Sequence, residues 1–324
     1  MSYSQVNFRF KFLNSEGKKQ GIFPVDGRTE VEGLQLGDET IHFVDIHEVK
    51  RYGSRLALVL KPYITLSKEL SKFVLPQTTT IVLQIYEGMA FDVKCGIDQL
   101  VSRENIKITK LQMEKEGTGE HFRSCRCPSC DSMLDLSMLK ETNMVYCDYC
   151  EMVFDRFGGV ISGTEGHQVC PTCNYYNRLQ EYREVHFYAY PKTRKFAMHK
   201  NYFCDTCAER MFDETKWKNL PYLIGALPTW YAGYKAKTGR NPTYEELSRA
   251  NRFAQDLDFE KAKEIYSVLM LHSDGHPGLH YNYALALLQN GKTEAAAKEF
   301  QASLAVCSNY KPTLDILKIY TNLQ

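Results

Sequence analysis

Residues 127–150 read CPSCDSMLDLSMLKETNMVYCDYC, and residues 170–207 open on CPTCN and close on CDTC. Each stretch holds two C-x-x-C pairs: Cys127/Cys130 with Cys147/Cys150, and Cys170/Cys173 with Cys204/Cys207. These pairs use eight of the chain's eleven cysteines. No long apolar core of a signal peptide follows Met1, so the expected location is the cytoplasm, where disulfides are rare. In a reducing compartment such pairs bind metal or do redox chemistry. A thioredoxin-like site needs one pair at the start of a helix in a βαβ unit. Four pairs in succession without that pattern favour metal. Sixteen residues separate Cys130 from Cys147, a gap that suits a four-cysteine zinc site.

A C-x-x-C turn points two thiolates at one ion, and two such turns complete a tetrahedron with Zn–S near ~2.3 Å. Pro128 and Pro171 stiffen the turns by fixing φ. Asp131 and Asn174 follow the second cysteine, where the backbone favours left-handed geometry that Asp and Asn tolerate. The segments CPSCD and CPTCN resemble zinc-ribbon knuckles. The second set has thirty residues between its pairs. Its strand-like runs Glu184–Tyr190 and Lys195–Cys204 form a hairpin that returns Cys204 towards Cys170. Two structural Zn2+ per chain are expected. A rubredoxin-like iron site uses the same four thiolates, and pairing across the two sets is an alternative. Cys125 competes with Cys127 in CRCPSC, but Cys127 has the two-residue gap and the following proline. His121, His167, His186 and His199 are surplus to four thiolates per site.

The rest of the 324 residues divides around this centre. In residues 1–115, Val6, Phe8, Phe10 and Phe12 alternate with polar residues, the period of a half-buried strand. Thr40–Ile46, Arg55–Leu60 and Thr79–Tyr86 read as further strands. A helical stripe starts after Gly96, although Ile106–Ile108 also reads as strand. The stretch Gly33–Leu60, GLQLGDETIHFVDIHEVKRYGSRLALVL, resembles the strand meander of pleckstrin-homology-like (PH-like) domains, which implies a bent sheet capped by a helix. An unrelated small barrel or sandwich is the alternative. The ribbons follow at 125–165 and 166–212, then an aromatic connector at 213–242 with Trp217, Tyr222, Leu223, Leu227, Trp230 and Tyr231.

Residues 243–324 repeat with a period of 34: Ala250/Ala284, Phe253/Leu287, Ala262/Ala296, Tyr266/Phe300 and Met270/Leu304. A small residue four before an aromatic at this period resembles the tetratricopeptide (TPR) repeat. Thr243 and Glu246 suggest a capping box, and Asn290-Gly291 a helix end. The usual Trp-Leu-Gly of the first helix is absent, with His280, Tyr283 and Ala284 in those places. Two and a half repeats are few for a free solenoid, so the connector is expected to cover them. The resemblance implies that first helices line a peptide groove, placing Tyr244, Ser248, Asn251, Gln255, Tyr281, Asn282, Leu285 and Gln289 on it. The same array could instead dock this face on its own ribbons.

The fold class expected is therefore a multidomain α+β chain: a β-rich N-terminal domain, two zinc ribbons and C-terminal helical repeats. The net charge of +1 sets up no global field for a polyanion. No phosphate loop, H-E-x-x-H or G-x-S-x-G motif is present, and no transmembrane segment is expected. The reading is a non-enzymatic interaction adaptor or scaffold with a protein or peptide partner. The alternative is nucleic-acid binding by the second ribbon, where Arg178, Arg183, Lys192, Arg194, Lys195 and Lys200 sit among aromatics.

Overall fold

A computed structural model describes residues 5–31, 33–161, 164, 166–190, 193–219, 242–272 and 275–321. The chain forms two compact units, residues 1–138 and 139–324. No described helix is long and apolar enough to cross a membrane.

The first unit is built on a seven-stranded antiparallel sheet in the order β4-β3-β2-β1-β7-β6-β5. Its strands are β1 (Asn7–Leu13), β2 (Val25–Thr29), β3 (Gly33–Leu36), β4 (Glu39–His42), β5 (Ile46–Tyr52), β6 (Arg55–Leu60) and β7 (Thr80–Ile85). The alternation in β1 buries Phe8, Phe10 and Phe12. A short α1 (Lys68–Ser71) precedes β7, and α2 (Ala90–Lys115) follows it. Helix α2 buries Ala90, Val93, Ile97, Leu100 and Val101 in the same core as the sheet's Phe10, Leu34, Ile46 and Leu83. Residues Ile106–Ile108 are helical, so their strand-like side chains continue α2. Thr40–Ile46 is interrupted by a 3-10 turn at Phe43–Asp45.

Past α2 the chain pairs β8 (Ser124–Arg126) with β9 (Met133–Asp135) around the Cys127–Cys130 turn. The turn is tied to α2. The Gln99 amide donates to the Cys130 carbonyl at 3.1 Å, and the Met133 N–H donates to buried Ser102 Oγ at 2.9 Å.

In the second unit β10 (Met144–Tyr146) pairs with β11 (Val153–Asp155). Strands β12 (His167–Val169), β13 (Tyr176–Tyr190) and β14 (Thr193–Cys204) form a three-stranded antiparallel sheet. The expected hairpin is there, longer at its base by eight residues on β13, because Tyr176–Arg178 pair with β12 and Leu179–Arg183 with β14. Helix α3 (Asp205–Asn219) begins inside the last C-x-x-C pair. It runs through the residues read as the start of a connector. Most of that connector, 220–241, lies outside the described residues, as do the side chains of Trp217 and Tyr244.

The helices α4 (Pro242–Gln255), α5 (Phe259–His272), α6 (Pro277–Gln289), α7 (Thr293–Val306) and α8 (Lys311–Thr321) complete the unit. Helix α4 begins at Pro242, which suits a first-turn proline and leaves Thr243 within the helix. Gly291 at φ +70° ends the α6 turn. Ala250, Ala262, Ala284 and Ala296 are all fully buried, where larger side chains would hold the helices apart. The core of these helices includes Tyr146, Val153, Tyr175 and Tyr176 from the cysteine-bearing segments.

Candidate metal centres and the adjoining groove

Three of the four cysteine pairs share one backbone turn. The first cysteine's N–H donates to the carbonyl five residues on: Cys127 to Ser132 at 2.9 Å, Cys147 to Met152 at 2.8 Å and Cys170 to Tyr175 at 2.9 Å. The N–H four residues on donates back, from Asp131, Glu151 and Asn174. That closure needs left-handed φ after the second cysteine. Asp131, Glu151 and Asn174 supply it at +61°, +64° and +61°. Glu151 is a less obvious choice than Asp or Asn, so the sequence signal there is the spacing alone. The fourth pair, Cys204/Cys207, lies instead at the start of α3.

The sulfurs of Cys127, Cys130, Cys147 and Cys150 lie within 4.8 Å of one another, and so do those of Cys170, Cys173, Cys204 and Cys207. In the second set, Cys170 and Cys207 are 3.9 Å apart and Cys173 and Cys204 3.7 Å. A zinc tetrathiolate with Zn–S near ~2.3 Å has sulfur–sulfur edges of about 3.8 Å. A disulfide needs about 2.05 Å, and none of the eleven cysteines is in one. The donors therefore fit a tetrahedral ion.

In the second set the four thiols share hydrogen bonds, which push Cys170 strongly towards its thiolate and hold Cys204 and Cys207 protonated by pushing them up. The Cys204 N–H also donates to the Cys170 sulfur at 3.4 Å. Cys125 is pushed up to about 11 by burial and by Cys127, and it is outside the cluster. Burial and the nearby Cys130 push Cys95 up to about 12, and burial does the same to Cys307. These three are protonated thiols at neutral pH. Of the surplus histidines, His167 is buried on β12 with its ring tilted against Tyr176, outside both clusters. His121 is exposed; the side chains of His186 and His199 are outside those described.

Compared with protein-family models, with curated proteins and with solved structures, the chain matches none of them.

The groove residues expected from the repeats meet the chain's own strand. Asn282 accepts from the Tyr176 N–H at 2.6 Å through Oδ1 and donates to the Tyr176 carbonyl at 2.7 Å through Nδ2. Asn251 donates to the same carbonyl at 3.0 Å and accepts from the Tyr266 hydroxyl at 2.6 Å. Ser248 donates to Asn177 at 3.1 Å, and Gln289 accepts from the Tyr175 hydroxyl at 2.8 Å. Ser248, Asn251, Tyr281 and Asn282 are buried. Leu285 is half-buried in the helical core, and Tyr281 meets Phe300 at a tilt and Tyr310 edge-on. Gln255 has both amide atoms buried with no partner among the described residues. The start of β13 thus occupies this face, the docking on the chain's own ribbons given above as the alternative. The physical reason is that β13 leaves the Cys170–Cys173 turn extended, and two asparagine amides satisfy the Tyr176 N–H and carbonyl in both directions.

Sequence reading missed three residues of this arrangement. Gly278 lies under the Tyr176 ring, where a Cβ would fall 2.5 Å from it. Its signal was a glycine at a helix start with no turn to explain it. Asn309 grips Tyr146 as Asn282 grips Tyr176: it accepts from the Tyr146 N–H at 2.9 Å and donates to its carbonyl at 2.7 Å. Nothing in the loop before α8 marked it. His276 completes the pocket around Tyr176, with ring centroids 4.9 Å apart. It is pushed down to about 3 by burial and by His167 and His280, so it is neutral at ordinary pH.

Proposed function

We propose that this chain is a non-enzymatic interaction adaptor, in which two structural zinc ions hold short ribbons against a TPR-like helical array. The observation that carries the reading is the pair of four-cysteine clusters, each with its four sulfurs within 4.8 Å of one another. Four thiolates leave no open position for water or substrate, unlike a catalytic zinc with three protein ligands. The 34-residue recurrence of buried alanines in α4–α7 supports the TPR-like reading. The strand order of the N-terminal sheet followed by α2 supports the PH-like one. Both are binding modules in the families they resemble, and fold alone does not assign a partner.

The test has two parts. Elemental analysis of the intact chain should give two zinc per chain, and a red, visibly absorbing preparation would instead indicate iron. In-cell cross-linking with mass spectrometry should map reproducible links to a protein partner. Turnover by the purified zinc-loaded chain of a substrate class found in an activity screen would overturn the non-enzymatic reading.

A second reading rests on the β13–β14 register, which sets Arg183 opposite Lys200. Like charges directly across a sheet destabilise it, and a polyanion would relieve that cost. Steeply salt-dependent binding of single-stranded oligonucleotides favours this reading; salt-independent or absent binding rejects it.

A further inference from the structure

The asparagine pair in the groove reads backbone. On β13, the side chains of Asn251 and Asn282 hydrogen-bond the N–H and carbonyl of Tyr176. Groups that every residue carries specify an extended segment rather than a sequence. Selectivity comes from the ring: Tyr176 lies over Gly278, stacks on His276 and reaches its Nε2 through the hydroxyl at 3.3 Å. The pocket thus takes an extended strand with an aromatic side chain.

That strand is held at both ends by one cysteine cluster. Three residues before Tyr176 stands Cys173, and the Tyr175 carbonyl closes the Cys170 turn at 2.9 Å. Three residues after it, Leu179 pairs with Cys204. On its other edge Tyr176 meets only the three-residue strand β12. The metal-bearing turn therefore both shapes the segment and keeps it at the groove.

We propose that the groove formed by Asn251, Asn282, Gly278 and His276 is a latent site for an extended, aromatic-bearing peptide. The chain's own Tyr175–Asn177 segment closes it while the second cysteine cluster holds its metal. The inference rests on the reading that this cluster binds metal. A competing strand must displace a tethered one, so its apparent affinity falls by the fraction of molecules whose groove is open. Loss of metal at the second cluster raises that fraction.

The probe is a fluorescein-labelled peptide copying residues 174–180, NYYNRLQ. Fluorescence anisotropy is read on the full-length chain as purified, on Cys173→Ser, and on Cys147→Ser as the control that disturbs the other cluster. Metal content and far-ultraviolet circular dichroism are measured on each. The expected result is binding to Cys173→Ser at least about tenfold tighter than to the parent chain, with helicity retained. Adding Asn251→Ala and Asn282→Ala should remove the gain, as should alanine in the peptide at the place of Tyr176. Equal binding to parent and Cys173→Ser overturns the proposal, as does equal opening by Cys147→Ser. Loss of helicity in Cys173→Ser also overturns it, because the groove then has no existence apart from its strand. Fewer than two metals in the parent sinks the metal reading along with this one, whereas two metals and no gain sink this one alone.

Discussion

Gly278→Ala sets two known effects against each other. Alanine is the better helix former by about 1 kcal/mol at most, and Gly278 lies in the first turn of α6. Against that, its Cβ would stand 2.5, 2.6 and 2.9 Å from three carbons of the Tyr176 ring. Ordinary carbon contacts are about 3.5–4.0 Å, so the ring must retreat by about 1 Å. It has little room: Tyr176 is 3% exposed, stacked on His276 and anchored by Asn282 at its backbone. Overpacking of this kind costs about 1–3 kcal/mol, which after the helical gain leaves a net loss of up to about 2 kcal/mol. For a unit of this length that is a fall in Tm of up to roughly 8 °C. The assay is urea and thermal unfolding of the zinc-loaded chain, followed by circular dichroism. The decisive measurement is a double-mutant cycle. In a Tyr176→Leu background the ring is gone, and Gly278→Ala should become neutral or stabilising. If Gly278→Ala stabilises the parent chain, or if its penalty persists without the ring, the account of how β13 seats in the groove is refuted.

Further outcomes are expected. Cys147→Ser should lower the zinc content by one ion and unfold its turn, because metal binding energy there is folding energy; Cys125→Ser should leave elemental analysis unchanged. Ala296→Leu should destabilise the helices by ~1–3 kcal/mol through overpacking, since Ala296 is fully buried; an unchanged denaturation midpoint would contradict the close approach of α7. Because His276 is pushed down to about 3 in the folded chain against ~6.5 in the unfolded one, only the unfolded state binds a proton between those values. Stability should therefore fall as pH drops from about 6.5 towards 3, by up to ~1.4 kcal/mol per pH unit. His276→Asn, which keeps an acceptor for the Gly278 N–H, should flatten that slope in acid unfolding relative to the parent chain.

The cysteine spacing, the β1 alternation and the alanine recurrence could be read without coordinates, because each is a local constraint. Two thiolates on one turn, a half-buried strand and a close helix pair all impose a short, regular pattern on neighbouring residues. Even Asp131 and Asn174 announced their backbone, since a left-handed residue is a property of one position. The start of α3 inside the Cys204/Cys207 pair was less visible. The helix is held by distant partners: Arg252 on α4 pairs with Glu209, and Arg210 with Asp256 at 2.6 Å.

What only the tertiary structure decided is the destination of the groove. Asn251 and Asn282 look alike in sequence whether they bind a foreign peptide or the chain itself. The difference is 75 and 106 residues away, at Tyr176. The gripping of Tyr146 by Asn309 spans 163 residues. Backbone groups carry no sequence signature, so a side chain that recognises them leaves no matching pattern at its target. The short helical array is completed by the tyrosines beside the cysteine turns, because buried asparagine amides are stable only where a strand satisfies them.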